Sequence, residues 1–162
     1  MVVRGGRITG SNKGHGLCCG EGGEAEMEGT VIADSKQSGV LCDGEVSRVM
    51  VQRGHITGSQ KGDGVHCRRG GHVDLVGVEI ADCNPSDVFC DGVGSRVTVQ
   101  GGHIAGSKEL HGVYFKKGGH AEVVGVEIAD CKQYGLCRVG NSTLTHSECT
   151  LSRCKKGSAF RC

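Results

Sequence analysis

The isoleucines of this chain are Ile8, Ile32, Ile56, Ile80, Ile104 and Ile128, each 24 residues after the last. Leu151 continues the series one residue early. Spacing this regular makes those positions equivalent in successive copies of one structural unit. A 48-residue period lies on top, because RITGS, HITGS and HIAGS alternate with VIADS and two copies of VEIADC. The copies are therefore of two alternating kinds, as expected from duplication of a two-copy unit.

Inside a copy the apolar positions alternate, as in Val88-Phe89-Cys90, Val97-Thr98-Val99 and Gly102-His103-Ile104, with glycine-rich turns between them. A period of two means strand. Strands this short do not persist alone, so each must pair with its equivalent one copy later. The prediction is an all-β, right-handed parallel β-helix solenoid of about seven coils of 24 residues, with three short parallel sheets. Residues 1–162 form one such domain, expected to be part of a longer array. At ~4.8 Å per coil the rod is roughly 30 Å long. The composition agrees, since five Phe and Tyr, no Trp and 30 Gly could not fill a sandwich or α/β core. No three-residue glycine period suggests collagen, and no apolar run reaches the ~18 residues of a membrane span.

Columns along the rod follow from the repeat. Ile8 to Leu151 is one inward column; Ala25, Val49, Val73, Val97, Ala121 and Leu144 are a second; Met27, Val51, Leu75, Val99 and Val123 are a third, broken by His146. Cys19, Cys42, Cys67, Cys90, Phe115 and Cys162 are expected to form a further inward column. Ser11, Ser35, Ser59, Cys83, Ser107, Cys131 and Cys154 form a ladder after the isoleucine, whose hydroxyls and thiols are expected to bond along the stack. Arg7, Val31, His55, Glu79, His103, Glu127 and Thr150 form an outward column of alternating charge.

The motifs I-x-G-S-x-x-x-x-G-V and I-A-D-[SC]-x-x-x-G-V cover essentially the whole chain. In them the chain resembles the right-handed β-helix repeat family, the pectate-lyase-like group of carbohydrate-binding and sugar-hydrolase repeats. That resemblance implies the fold but two kinds of role, since some members cleave or epimerise acidic polysaccharides and others, such as the β-helical F-box and Shc-binding proteins, are recognition modules. The ladder here is Ser/Cys where many extracellular members stack asparagine. The opening MVVRGGRITG carries no hydrophobic signal segment. Eleven cysteines without a CxxC pair read as reduced thiols, so a cytoplasmic chain is expected.

The weak catalytic candidates are Asp34, Asp82 and Asp130, which share a column with Gly10, Gly58 and Gly106 between them. Two coils apart means ~9.6 Å, at the margin of an inverting pair's ~6.5–9.5 Å and beyond a retaining pair's ~5 Å. Repetition also makes the three equivalent, which suits a turn residue capping backbone amides better than a singular active site. Collinear thiolates do not converge on a metal, so neither metal nor cofactor is expected.

The stronger surface candidates are Leu41, His66, Phe89 and Tyr114, apolar or aromatic positions facing outward on the cysteine strand. Beside them stands a basic group, Arg68, Arg69, Lys116 and Lys117. A lysine corner, Lys13, Lys36, Lys61, Lys108, Lys132, Lys155 and Lys156, follows the Ser/Cys ladder. The functional expectation is a non-catalytic recognition or scaffold module that binds a protein, or a glycan, through the Phe89/Tyr114 face. The alternative is a carbohydrate-active lyase or glycoside hydrolase of the pectate-lyase-like group acting on acidic polysaccharide. Nucleic acid and membrane are not expected partners, because few aromatics are present to stack bases. Bare strand edges at the ends are expected to meet further repeats or copies of the chain.

Overall fold

A computed structural model describes residues 1–161. Strands and turns account for the described elements, with no helix among them, and so no helix long and apolar enough to cross a membrane. The chain winds as a parallel solenoid in which almost every strand pairs with its equivalent one copy away. Val73 lies between Val49 and Val97, and Ile80 between Ile56 and Ile104. Here coils are numbered by their isoleucines, Ile8 in the first and Leu151 in the seventh.

Three faces close around the core. A valine face contains strands such as Glu24–Glu28 and Arg48–Gln52, and an isoleucine face contains Val31–Ala33 and His55–Thr57. Two long strands, His72–Ala81 and Arg96–Ala105, run unbroken through the bend between these faces. Hydrogen bonding therefore joins the two into one twelve-stranded sheet. The third face is a separate seven-stranded sheet, the cysteine sheet: Leu17–Gly20, Val40–Asp43, Val65–Arg68, Val88–Asp91, Val113–Lys116, Tyr134–Arg138 and Gly157–Arg161.

The inward columns fill the interior. Ile56, Ile80, Ile104, Ile128, Val65, Cys67, Cys90 and Phe115 are all fully buried. Burying such side chains stabilises by about 1.5–3 kcal/mol each, which lets strands of three residues persist. After Phe115 the cysteine column continues through Arg138 and Arg161, and the expected Cys162 lies outside the described residues. The Ser/Cys ladder is buried except at its half-buried ends Ser11 and Cys154, and along the stack Cys83 meets Ser59, and Cys131 meets Ser107 and Cys154, as expected. Its groups also donate within their own coil: Ser11 Oγ to the His15 carbonyl at 2.9 Å, Cys83 Sγ to that of Ala81 at 3.2 Å, and Cys131 Sγ to that of Ala129 at 3.3 Å. Ser35 Oγ has no described hydrogen-bond partner.

The alternation of odd and even coils has a structural meaning. The odd turn between isoleucine and cysteine strand is one residue longer, as in Ile56 to Val65 against Ile80 to Val88. The extra length carries a side chain that accepts an N–H from the next, even coil. His15 Nδ1 accepts from Ser38 N at 3.1 Å, Asp63 Oδ1 from Ser86 N at 3.1 Å, and His111 Nδ1 from Tyr134 N at 3.3 Å. At the opposite corner Ser47, Ser95 and Ser142 hydroxyls accept from Gly22, Gly70 and Gly118, at 3.0, 3.0 and 3.2 Å. Buried amides need such partners, so each kind of coil completes the other.

Candidate functional site

The outer surface of the cysteine sheet gathers the chain's unusual side chains. In the second coil Leu41 points outward yet is only 4% exposed. It was expected on an open surface. The longer odd turns rise on both sides and place it in a depression of about 340 Å³, lined also by His15, Lys61, Asp63, His66 and Pro85.

His66 stands at the edge of that depression between two carboxylates, with Nδ1 3.8 Å from Asp63 Oδ2 and Nε2 3.6 Å from Asp91 Oδ1. Burial pushes the His66 imidazole below its ordinary value against the pull of Asp91. It also pushes the Asp63 carboxyl up to about 7. Asp63 was not singled out from the sequence; its place at the N–H-accepting position shared with His15 and His111 is the signal that marks it.

From His66 a ladder of rings runs along the rod. His66 and Phe89 centroids are 4.8 Å apart, Phe89 and Tyr114 5.2 Å, Tyr114 and His111 4.8 Å, His111 and Tyr134 5.7 Å, and Tyr134 and Phe160 4.9 Å. The structure thus brings together the expected His66, Phe89 and Tyr114 and extends them with His111, Tyr134 and Phe160. Three of the pairs are stacked at interplanar angles of 19–21°. Those rings turn faces to each other and present edges outward. Lys116 reaches over the ladder, its Nζ 4.9 Å from the Phe89 centroid and 5.6 Å from that of Tyr114.

The expected basic group is largely neutralised. Arg68 and Arg69 both engage Asp43 of the previous coil, Arg68 Nη2 at 2.9 Å from Oδ2, and with Arg69 foremost they hold that carboxyl down to about 2. Lys117 Nζ lies 3.9 Å from Asp91 Oδ2. In-register pairing places Asp43 beside Arg68, and Asp91 beside both Arg68 and Lys116.

The aspartates Asp34, Asp82 and Asp130 lie exposed on a different corner, after the isoleucine face. All three are in the left-handed region, φ 55–56°, like Gly58 and Gly106 at the same position of alternate coils. Asp tolerates this conformation better than most residues. None of their carboxylates caps a backbone amide by a described hydrogen bond; that of Asp130 instead takes a two-pronged contact from Arg153 at 2.7 and 2.8 Å. Elsewhere the outward His/Glu column pairs as its alternation suggests, with His55 Nε2 2.7 Å from Glu79 and His103 Nδ1 3.4 Å from Glu127. Among the described residues, no group of three or more His, Cys, Asp or Glu is placed to hold a metal. Contact with the Cys42 and Cys90 thiols, then burial, pushes the Cys67 thiol far above its ordinary value, while contact with Cys67 draws the Cys42 thiol below it.

A family model described as the right-handed beta helix region matches residues 3–161. The chain belongs to the right-handed β-helix family. Neither the curated proteins nor the solved structures gave a significant match. Along this chain the corner aspartates recur on alternate coils, whereas the outer face of the cysteine sheet differs in every coil.

Proposed function

We propose that this β-helix is a non-catalytic recognition module, and that it binds a protein partner along the outer face of its cysteine sheet. The supporting observation is the ring ladder from His66 to Phe160. Four of the chain's five Phe and Tyr residues stand on this one surface, and only Phe115 serves the core. Clustered partly exposed aromatics mark interaction surfaces. The ring orientation favours protein over glycan, because a sugar platform needs ring faces open to solvent and here they are taken by neighbouring rings. The repetition of the corner aspartates, together with their left-handed backbone, supports a turn role over catalysis. Buried thiols that donate to carbonyls, such as Cys67 Sγ to Gly71 O at 2.9 Å, suit a reducing, intracellular setting.

The test uses a displayed peptide library and an array of acidic glycans, each probed with the wild-type protein and with Phe89→Ala/Tyr114→Ala, whose fold is checked by circular dichroism. Peptides selected by the wild type and lost by the variant are expected, with a silent glycan array. Cleavage of polygalacturonate, read by reducing ends and abolished by Asp82→Ala, would overturn the reading in favour of a carbohydrate-active enzyme.

A further inference from the structure

The edge of the ring ladder carries an uncompensated line of charge. Backbone hydrogen bonds from Lys108 N to Cys83 O, Lys132 N to Ser107 O and Lys155 N to Cys131 O place Lys108, Lys132 and Lys155 at one position on three successive coils. Adjacent strands stack ~4.8 Å apart, and like charges directly opposite one another are destabilising. All three are exposed, and none makes an ion pair among the described residues. Lys156 joins them, its Nζ reaching only Gln133 Oε1 at 3.5 Å. Glu109 follows Lys108 and Asp130 precedes Lys132 by two residues, but no described ion pair ties either to the lysines, and Asp130 is engaged by Arg153.

These lysines lead straight into the rings. Lys108 precedes His111 by three residues, Lys132 precedes Tyr134 by two, and Lys155-Lys156 open the turn into the strand bearing Phe160. On the other flank Lys116 lies over Phe89 and Tyr114. The fifth to seventh coils thus present a strip of rings bordered on one side by a row of lysines and, at its fifth-coil end, by Lys116 on the other, in a chain whose formal net charge is only +1.

We infer that the occupant of this strip is an extended acidic segment of a partner protein, with apolar side chains on the ring edges and carboxylates on Lys108, Lys132, Lys155 and Lys116. The inference rests on the reading of this face as a recognition surface and adds the chemistry of what it recognises. Charge complementarity selects the acidic partner. The stacked pairs turn their faces to one another rather than towards a base or a sugar, which favours a peptide over nucleic acid or an acidic polysaccharide. The cations also account for a surface that would otherwise carry like charges side by side for no gain.

Fluorescence anisotropy with two labelled synthetic peptides of equal length, repeats of Glu-Leu-Ser and of Gln-Leu-Ser, tests this. The acidic peptide is expected to bind about ten-fold tighter than the neutral one and to weaken about ten-fold on Lys132→Glu/Lys155→Glu, as several surface ion pairs together would give. Raised salt should erode the difference, and Arg7→Glu, a charge reversal on the isoleucine face, should leave it unchanged. Equal binding of both peptides overturns the acidic assignment; if Phe89→Ala/Tyr114→Ala then abolishes both, the recognition face itself stands. Tighter binding of oligogalacturonate or single-stranded DNA than of the acidic peptide overturns it in favour of those ligands. Absence of any peptide binding overturns it too, and the displayed-library selection run in parallel then reports separately whether the face recognises protein at all.

Discussion

Asp63 is buried between the depression and the ring ladder, and its carboxyl titrates at about 7 in the folded chain against an ordinary value of 3.8. Burial is the main cause; the Ser86 amide and the Lys116 ammonium oppose it, and Asp91 adds to it. Below pH 3.8 the group is protonated in both folded and unfolded chains, and its contribution to stability is complete. Between 3.8 and about 7 unfolding releases a proton, so stability falls by ~1.4 kcal/mol for each pH unit. Above that range the loss is complete, of order 4 kcal/mol. Asp63→Asn keeps an oxygen to accept the Ser86 N–H and cannot ionise. Urea unfolding of both proteins at pH 4 to 8 should show stabilities within about 1 kcal/mol of each other at pH 4, and the variant more stable by about 4 kcal/mol at pH 8. His111, which burial pushes down to about 4, titrates in both proteins and drops out of the difference, whereas Asp87, raised by burial and to a smaller degree by Asp63 itself, adds to it in the same direction. A difference that stays within about 1 kcal/mol across the whole range would refute the placement of Asp63 in a dry, weakly compensated site.

The same packing makes other outcomes specific. A methyl added at Gly64 would lie 2.6 Å from Asp87 O, 2.7 Å from Ile80 Cγ2 and 2.9 Å from Cys83 Sγ, so Gly64→Ala should cost about 1–3 kcal/mol or more in urea unfolding. Gly125 meets open space but has φ +63°, and Gly125→Ala should cost about 1 kcal/mol from backbone conformation alone; the reverse order would contradict the coil packing. Asp82→Gly should leave the melting temperature within a degree or two, and Asp82→Val should lower it by several degrees, because φ is +55° there. Ile80→Ala, at a fully buried position, should destabilise by about 2–5 kcal/mol.

How much of this was legible in the sequence depends on whether a feature obeys the repeat. Ile56 over Ile80 and Val73 over Val97 do, because any residue lost or gained between them would break the register of buried side chains. The cysteine column survives an alternating step, Cys19 to Cys42 and then to Cys67, because each short even turn is followed by a long odd one. The same alternation hid the burial of Leu41, since outward on a strand means exposed only where neighbouring turns do not rise above it. The pairing of Asp43 with Arg68 was readable in that register, one step along the cysteine strands. The full ring ladder was not, because His111 lies in a turn and Tyr134 is the first residue of its strand, so they reach the rings of Tyr114 and Phe160 across columns.

Every statement about the face depends on coils stacking in order, and the isoleucines report that order directly. In a sample labelled only at isoleucine methyls, a nuclear Overhauser spectrum should show strong cross-peaks linking Ile8 to Ile32, Ile32 to Ile56, Ile56 to Ile80, Ile80 to Ile104 and Ile104 to Ile128, in one unbranched chain. A missing link between Ile56 and Ile80, or a strong peak joining isoleucines that are not successive, would contradict the stacking and with it the surface built upon it.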